Sequence, residues 1–123
     1  SYSIMKKIKY VLCFLIVFLA CEEIIEVEDI SNKTVNVLAP ADTATLTIST
    51  INFSWDTVAD AEHYKLQIAE PNFEMANQIV LDTTVTVTNF SQTLEFGDYE
   101  WRIRAENSGY QTTYSTQSFT IEE

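Results

Sequence analysis

Hydrophobic and polar residues alternate with a period of two in several short stretches after Val35. In "INFSW" at residues 51–55, the apolar side chains fall on one parity and the polar Asn52 and Ser54 on the other. "HYKLQIA" at residues 63–69 and "YEWRIRA" at residues 99–105 repeat this alternation, which predicts strands that are buried on one face. The predicted inward residues are Ile51, Phe53, Trp55, Tyr64, Leu66, Ile68, Tyr99, Trp101, Ile103 and Ala105.

Two further stretches have strand-like composition, namely "QIVLDTTVTVTNF" at residues 78–90 and "YSTQSFTI" at residues 114–121. No amphipathic helix interrupts them, since "EPNFEMANQ" at residues 70–78 has room for one helical turn at most. Short strands at this spacing predict an all-β fold, a single antiparallel sandwich of two sheets. We expect both Trp55 and Trp101 in its core rather than on a sugar-stacking surface.

The chain begins with a cationic segment and a continuous apolar run, which is typical of a cleavable signal peptide. Lysines crowd "MKKIKY", and "YVLCFLIVFLA" from Tyr10 to Ala20 holds eleven residues without a charge. Eleven helical residues reach only about 16 Å, about half of a bilayer's hydrocarbon core, so a transmembrane helix is disfavoured. A buried core helix is the alternative, but the run has no polar face. We assign residues 1–20 to a signal peptide, with the natural start at Met5.

The residues "FLAC" at positions 18 to 21 resemble the lipobox of bacterial lipoproteins. In those proteins a small residue precedes a cysteine that receives a diacylglyceryl group on its sulfur and becomes the new N-terminus after cleavage. Ala20 matches that small residue, whereas Phe18 departs from the usual leucine. The resemblance implies that Cys21 carries covalent diacylglycerol and acyl lipid, and no other cofactor is expected.

A disulfide or a catalytic thiol at Cys21 is the alternative to lipidation. Cys13 lies inside the apolar run and would leave with the signal, so the mature chain would hold a single cysteine. No cationic side chain adjoins Cys21 in the sequence to activate a thiolate. Both alternatives are therefore disfavoured.

The residues after Cys21, "EEIIEVED", indicate an acidic tether that like-charge repulsion keeps extended. Glu22 and Glu23 also resemble the acidic export signal of surface-exposed lipoproteins from one Gram-negative phylum, and the two interpretations are compatible. We assign residues 21–34 to the lipidated cysteine and this tether. The spacing of the acids does not match a calcium-binding loop.

The formal charge of the chain is −11, and removal of residues 1–20 would take away three of its seven basic residues and none of its eighteen acids. The mature chain would therefore carry a charge of about −14, which repels phosphate backbones and anionic headgroups. No nucleic-acid partner is expected, and contact with the membrane is expected only through the lipid anchor.

The order of the strand-like segments from residue 35 to residue 121 resembles a fibronectin type III domain. The matching elements are "LAPADTATL", "FSWDTVADAEHYKLQIA" with Trp55 in the second strand and Tyr64 in the third, "LEFGDYEWRIRAENSGY", and the closing "YSTQSFTI". The resemblance implies that Leu94, Gly97 and Tyr99 build a corner leading into the sixth strand. Leu94 would pack on Tyr99, and the phenol would bond back to nearby backbone.

The sequence shows no convergent catalytic groups, so no catalytic residue and no metal ligand is assigned. The single histidine, His63, falls on an outward strand position and is interpreted as a solvated residue. No nucleophile elbow, zinc-helix motif or phosphate loop occurs, and the chain has only two glycines. We expect a protein that is not an enzyme.

Two weaker signals concern candidate modification and contact residues. Thr43, Thr57 and Thr83 each follow an aspartate in a triplet that resembles the O-glycosylation acceptor of exported proteins in the same phylum, although ordinary turn and strand threonines explain them as well. Three aromatic residues in or near predicted loops are candidate contacts for a sugar or a partner, and the alternative is that they cap the sandwich. They are Phe73, Tyr110 and Tyr114.

The sequence therefore predicts a lipid-anchored outer-membrane protein that exposes one fibronectin-like domain at the cell surface, with a periplasm-facing orientation as the alternative. The domain would serve as a module for protein binding or adhesion. The alternative function is that of a glycan-binding accessory lipoprotein of a polysaccharide-uptake system, or a truncated N-terminal fragment of one. The sequence does not identify the ligand.

Overall fold

The computed structural model describes residues 26–123, which form eight β-strands. The predictions for the signal peptide, Cys21, Glu22 and Glu23 lie outside the described residues. Residues 26–123 contain no helix that is long and apolar enough to cross a membrane. The strands are β1 (Val37–Ala39), β2 (Ala44–Leu46), β3 (Thr50–Trp55), β4 (His63–Glu70), β5 (Gln78–Val85), β6 (Asn89–Thr93), β7 (Gly97–Glu106) and β8 (Ser115–Ile121).

The strands form two sheets that pack face to face, as the sequence predicts. One sheet has three strands in the order β1-β3-β6, and the other has five in the order β2-β8-β7-β4-β5. All pairings are antiparallel except that of β2 with β8, which is parallel and aligns Ala44 with Phe119. The sequence did not predict this parallel pair. It arises because the first strand is split in two.

The split lies in "APADTA", where the chain crosses from the three-stranded sheet to the five-stranded sheet. Pro40 has no amide hydrogen to donate to a ladder, so it interrupts the strand after β1. Thr43 has a φ of 64°, which turns the backbone toward β8. The second, third and sixth strands of the predicted fold are therefore β3, β4 and β7.

The core consists of the inward residues of β3, β4, β7 and β8, as their alternation predicts. Trp55 and Trp101 are 1% and 0% exposed, which confirms their core assignment. Phe53 packs edge-on against Trp101 with 5.0 Å between ring centroids, and Trp55 packs edge-on against Tyr64 at 5.7 Å. These contacts link the inner faces of the two sheets, because Phe53 and Trp55 belong to β3 and their partners to β7 and β4.

The loops gather at two ends of the sandwich. We call the end formed by residues 26–36 and the β3–β4, β5–β6 and β7–β8 loops the N-terminal pole. The opposite end, with the β2–β3, β4–β5 and β6–β7 loops and residues 122–123, is the C-terminal pole. The antiparallel registers fix this arrangement, since His63 pairs with Glu106 at one end of β4 and Ala69 pairs with Glu100 near the other.

The predicted corner before β7 is present at the C-terminal pole. The Tyr99 hydroxyl donates a 2.8 Å hydrogen bond to the Glu95 carbonyl, which confirms that the phenol bonds back to nearby backbone. Leu94 belongs to the same buried cluster and is 5% exposed. Gly97 has a φ of 154°, which L side chains rarely adopt, so glycine suits the start of β7. Burial raises the pKa of Tyr99, and nearby Glu70 and Glu95 reinforce the shift.

The packed structure begins before Val35. Ile30, which the sequence analysis placed in the tether, is fully buried in the core. The Asn107 amide donates a 2.8 Å hydrogen bond to the Glu28 carbonyl, and Lys33 forms a 3.6 Å ion pair with Asp60. Residues 28–34 therefore lie against the loops of the N-terminal pole.

Candidate functional site

The outward face of the five-stranded sheet carries most of the positive charge of the described residues. Strand alternation turns Glu100, Arg102, Arg104 and Glu106 of β7 away from the core, because the residues between them are buried. The neighbouring strand β4 contributes three more polar side chains. Three of the four Lys and Arg residues within 26–123 lie on this face, namely Lys65, Arg102 and Arg104.

Arg102 lies between two aromatic rings that come from different parts of the chain. Its guanidinium carbon is 4.1 Å from the centroid of Phe73 and 4.3 Å from that of Tyr114. Its Nε donates a 2.7 Å hydrogen bond to Oε1 of Gln67, the residue directly opposite on β4. The two rings and the amide fix the plane and the position of the guanidinium group.

The two rings are themselves held in place by the chain around them. Phe73 lies in the β4–β5 loop, which folds over the sheet so that the Phe73 amide donates a 3.1 Å hydrogen bond to Oε1 of Glu100. Tyr114 immediately precedes β8 and also contacts Arg104, whose guanidinium carbon lies 4.6 Å from the ring centroid. We call Phe73, Arg102, Tyr114 and Arg104 the arginine–aromatic array.

Arg104 is neutralised by a carboxylate, and that carboxylate is shared. Glu106 accepts a 2.6 Å hydrogen bond from Nε of Arg104 and lies 2.9 Å from Nε2 of His63. Burial disfavours the charged form of Glu106, but the hydrogen bonds from Arg104 and His63 outweigh it and hold the pKa of the carboxyl below its usual value. His63 was interpreted as solvated, and the structure corrects this, because His63 is only part-exposed and bonds Glu106 across the strand pair.

Arg102 differs from the other basic side chains because it has no carboxylate partner among residues 26–123. Within that range Lys33, Lys65 and Arg104 each form an ion pair, the shortest joining Lys65 to Asp82 at 2.7 Å. All but two of the eighteen Asp and Glu lie in the same range. The two Nη groups of Arg102 have no hydrogen-bond partner there, and neither atom is buried. Arg102 therefore presents an open pair of donors.

The structure brings together two of the three aromatic residues that the sequence identified as candidate contacts. Phe73 and Tyr114 flank Arg102, but Tyr110 lies at the N-terminal pole, 41% exposed, with its amide bonded to Oδ1 of Asn107. The guanidinium covers one face each of Phe73 and Tyr114, so a sugar would have to stack on the opposite face of either ring. Their role as ligand contacts stays a prediction.

Sequence reasoning did not find Arg102 and Gln67 as site residues. Both fall on outward positions of their strands, so their direction is visible in the alternation of "YEWRIRA" and "HYKLQIA". Their aromatic neighbours are 29 and 12 residues away from Arg102 along the chain, and only the folded loops bring them into contact. No local sequence pattern indicates the contact of Arg102 with these two rings.

Comparison with solved structures finds fibronectin type III domains. The fn3 domain of the human collagen alpha-1(XX) chain has a TM-score of 0.56 at 17% identity, with 76% of this chain and 90% of that chain covered. The fibronectin(III)-like modules of CbhA from Clostridium thermocellum give a TM-score of 0.53 at 9% identity, with 72% and 96% covered. The fold is that of a fibronectin type III domain. At these identities the likeness concerns the fold alone.

No family model matches the sequence, and no match is found among curated proteins. Domains with the fibronectin type III fold are generally binding or structural modules without catalytic activity, and one fold supports many unrelated functions. The choice among those functions therefore depends on the side chains that this sandwich exposes.

The three candidate O-glycosylation threonines occupy different places in the fibronectin type III sandwich. Thr43 is exposed in the turn before β2, and its hydroxyl donates to the Asp42 carbonyl. Thr57 is exposed in the β3–β4 loop, whereas Thr83 is half-buried within β5. An enzyme that modifies folded protein would reach Thr43 and Thr57 more readily than Thr83, and modification of any of them stays a prediction.

Within residues 26–123, no three His, Cys, Asp or Glu side chains lie close enough together to hold a metal ion. The ion pairs on the sheet face instead join carboxylates to Lys, Arg and His.

Proposed function

We propose that this chain is a non-enzymatic, lipid-anchored protein of the outer membrane, exposed at the cell surface, whose fibronectin type III domain binds a protein partner or mediates adhesion. The lipobox at "FLAC" and the acidic residues after it support the anchor and the export route. The open guanidinium of Arg102 on an exposed sheet face supports a binding function.

The observation that carries this proposal is the packing of residues 28–30 at the N-terminal pole. Ile30 is buried in the core, and the Glu28 carbonyl is bonded to the Asn107 side chain. Only residues 22–27 then separate a lipidated Cys21 from the packed domain, a span of about 20 Å at full extension. The N-terminal pole would face the membrane, and the C-terminal pole and the sheet face would be free to meet a partner.

The lipid anchor is tested by metabolic labelling with an alkyne fatty acid. We expect the wild-type chain and a Cys13→Ser variant to label, because Cys13 leaves with the signal peptide. Cys21→Ser should not label, since the oxygen of serine does not accept the thioether-linked lipid. Equal labelling of the Cys21→Ser and wild-type chains would overturn the anchor.

Surface exposure is tested by digesting intact cells with a protease that does not cross the outer membrane. We expect the wild-type domain to be degraded, and a double variant with Glu22→Ala and Glu23→Ala to be protected while it still labels with fatty acid. Protection of the wild-type chain would instead support the periplasm-facing orientation.

Glycan binding is the second candidate function, because Phe73 and Tyr114 converge on one exposed face. It is tested with a polysaccharide array on the full chain in detergent. Binding that is lost in Tyr114→Ala but retained in Tyr110→Ala would support a glycan reader at the arginine–aromatic array. Absence of any glycan signal favours the protein-binding module.

A further inference from the structure

We propose that Arg102 is the centre of a carboxylate-binding site, and that its ligand is an Asp or Glu side chain on a partner protein, flanked there by basic residues. The proposal rests on the proposed function as a binding module and names the chemistry that the module recognises. It assigns a role to the one basic side chain that has no ionic partner within residues 26–123.

The first argument is the charge of Arg102 and its surroundings. Its Nε is held by Gln67, a neutral acceptor, so the positive charge is positioned without being neutralised. The corresponding Nε of Arg104 is held by the Glu106 carboxylate instead. The two arginines are two residues apart on β7 and point to the same side, so this contrast distinguishes an open guanidinium from a neutralised one.

The second argument is the rigidity of the guanidinium group. An arginine on a surface normally loses side-chain freedom when it binds, and that loss opposes binding. Here the rings of Phe73 and Tyr114, at 4.1 and 4.3 Å, restrict the group before any ligand arrives. The planar donors of a fixed guanidinium match the two oxygens of a carboxylate in a bidentate pair. The open donors therefore favour a carboxylate over a neutral hydroxyl group.

The third argument is the acid excess of the domain, which favours one source of that carboxylate. Residues 26–123 hold sixteen Asp and Glu against four Lys and Arg. On the sheet face Asp82 and Glu106 are paired with Lys65 and Arg104, whereas Glu100, two residues from Arg102 on β7, has no basic partner within that range. A polyanion such as a polyuronate would be repelled by this acid excess. A partner protein with one acid between basic residues would match both the open guanidinium and its acidic surroundings.

The experiment uses the full chain, purified in detergent, with the Nε–Hε signals of its arginines followed by NMR at fixed ionic strength. The probes are sodium acetate against sodium chloride, polygalacturonate, and the tripeptides Lys-Glu-Lys and Lys-Gln-Lys. Both tripeptides are acetylated at the N-terminus and amidated at the C-terminus, so that the Glu side chain is the only carboxylate. We expect acetate to shift the Arg102 signal and leave Arg104 unchanged. Lys-Glu-Lys should bind about ten-fold more tightly than Lys-Gln-Lys, because only the former offers a carboxylate to the open donors.

Matched variants separate the carboxylate site from a general effect of charge. Arg102→Lys keeps the charge but lacks the planar pair of donors, so binding of Lys-Glu-Lys should weaken about ten-fold. Lys33→Gln should retain binding, since that ammonium group pairs with Asp60 at the N-terminal pole and not on the sheet face. Tyr114→Leu should retain the fold, checked by its melting temperature, and weaken binding by freeing the Arg102 side chain. Gln67→Ala should weaken binding for the same reason.

Three results would overturn the proposal. One is equal binding of the two tripeptides, and another is a shift of Arg104 in place of Arg102. The third is tighter binding of polygalacturonate than of Lys-Glu-Lys, which would identify an acidic glycan as the ligand. Fatty-acid labelling does not depend on Arg102. The experiments therefore distinguish a chain that lacks the lipid anchor but binds the carboxylate from a chain that carries the anchor but does not bind it.

Discussion

Two buried tyrosine hydroxyls connect loops to the sandwich at opposite poles. The Tyr64 hydroxyl accepts a 3.0 Å hydrogen bond from the Val58 amide in the β3–β4 loop, and the Tyr99 hydroxyl donates to the Glu95 carbonyl in the β6–β7 loop. Both rings belong to the core, at 4% and 3% exposure. Each tyrosine therefore supplies apolar area and also a polar contact that fixes a loop.

Tyr64→Phe should destabilise the domain by about 1–3 kcal/mol, because it leaves the buried Val58 amide without an acceptor. Tyr99→Phe is the matched control and should cost less, since the Glu95 carbonyl lies in an exposed loop where water replaces the phenol. Urea denaturation followed by tryptophan fluorescence measures both. Equal losses of unfolding free energy in the two variants would contradict the assigned role of Tyr64.

For the two tryptophans, the sequence predicts burial of the side chain but not the hydrogen bonding of the indole. The alternation of apolar and polar residues correctly predicted that Trp55 and Trp101 lie in the core, because such alternation indicates a strand with one buried face. Their Nε1 atoms are buried without a hydrogen-bond partner, a detail that no sequence pattern contains. Both rings meet other aromatic rings, and weak N–H contacts with such π faces are known in protein cores.

At the scale of elements, the predicted strands are those that are buried on one face only. Strands β3, β4 and β7 alternate cleanly and were predicted from period two. The stretch at residues 78–90 was predicted only as strand-rich, and the structure divides it into β5, a turn at residues 86–88, and β6. Threonine and valine continue to alternate through that turn, and no glycine or proline marks it. The outer edge position of β5 also leaves none of its residues fully buried, so burial imposes little pattern.

The cross-strand pair of β4 and β7 at the N-terminal pole links stability to pH. His63 lies directly opposite Glu106, and Arg104 bonds the same carboxylate. The pKa of Glu106 is lowered in the folded chain from its ordinary value of 4.5. A carboxyl whose pKa is lower in the folded state stabilises the fold at pH values above its pKa in the unfolded state. That stabilisation is lost as the pH falls through the pKa in the folded state.

Glu106→Gln should therefore cost about 1–3 kcal/mol at pH 7, because it removes hydrogen bonds between charged groups. The difference from wild type should shrink as the pH falls below about 4.5. Thermal unfolding from pH 3 to pH 8 measures it. The control is Glu62→Gln, an exposed position, which should follow wild type throughout. A difference between Glu106→Gln and wild type that is independent of pH would contradict the assigned pairing.

At the scale of the whole molecule, the sequence predicted the sandwich and its core but not the beginning of the packed structure. The acidic composition of residues 22–29 indicated a tether as far as residue 34, yet Ile30 is buried. Ile30 follows Asp29 and precedes Ser31 and Asn32, so it belongs to no alternating pattern and nothing local marks it as part of the core. The same limit applies to the arginine–aromatic array, whose members meet through long-range contacts.

Ile30→Ala tests whether this segment belongs to the domain. The side chain is fully buried, so its truncation should cost about 2–5 kcal/mol through lost burial and a cavity. Leu38→Ala is the control, because Leu38 is 55% exposed on β1 and should cost little. Urea denaturation measures both variants. If Ile30→Ala lost no more stability than Leu38→Ala, residues 26–34 would behave as free tether, and the distance from Cys21 to the domain would no longer be set by residues 22–27.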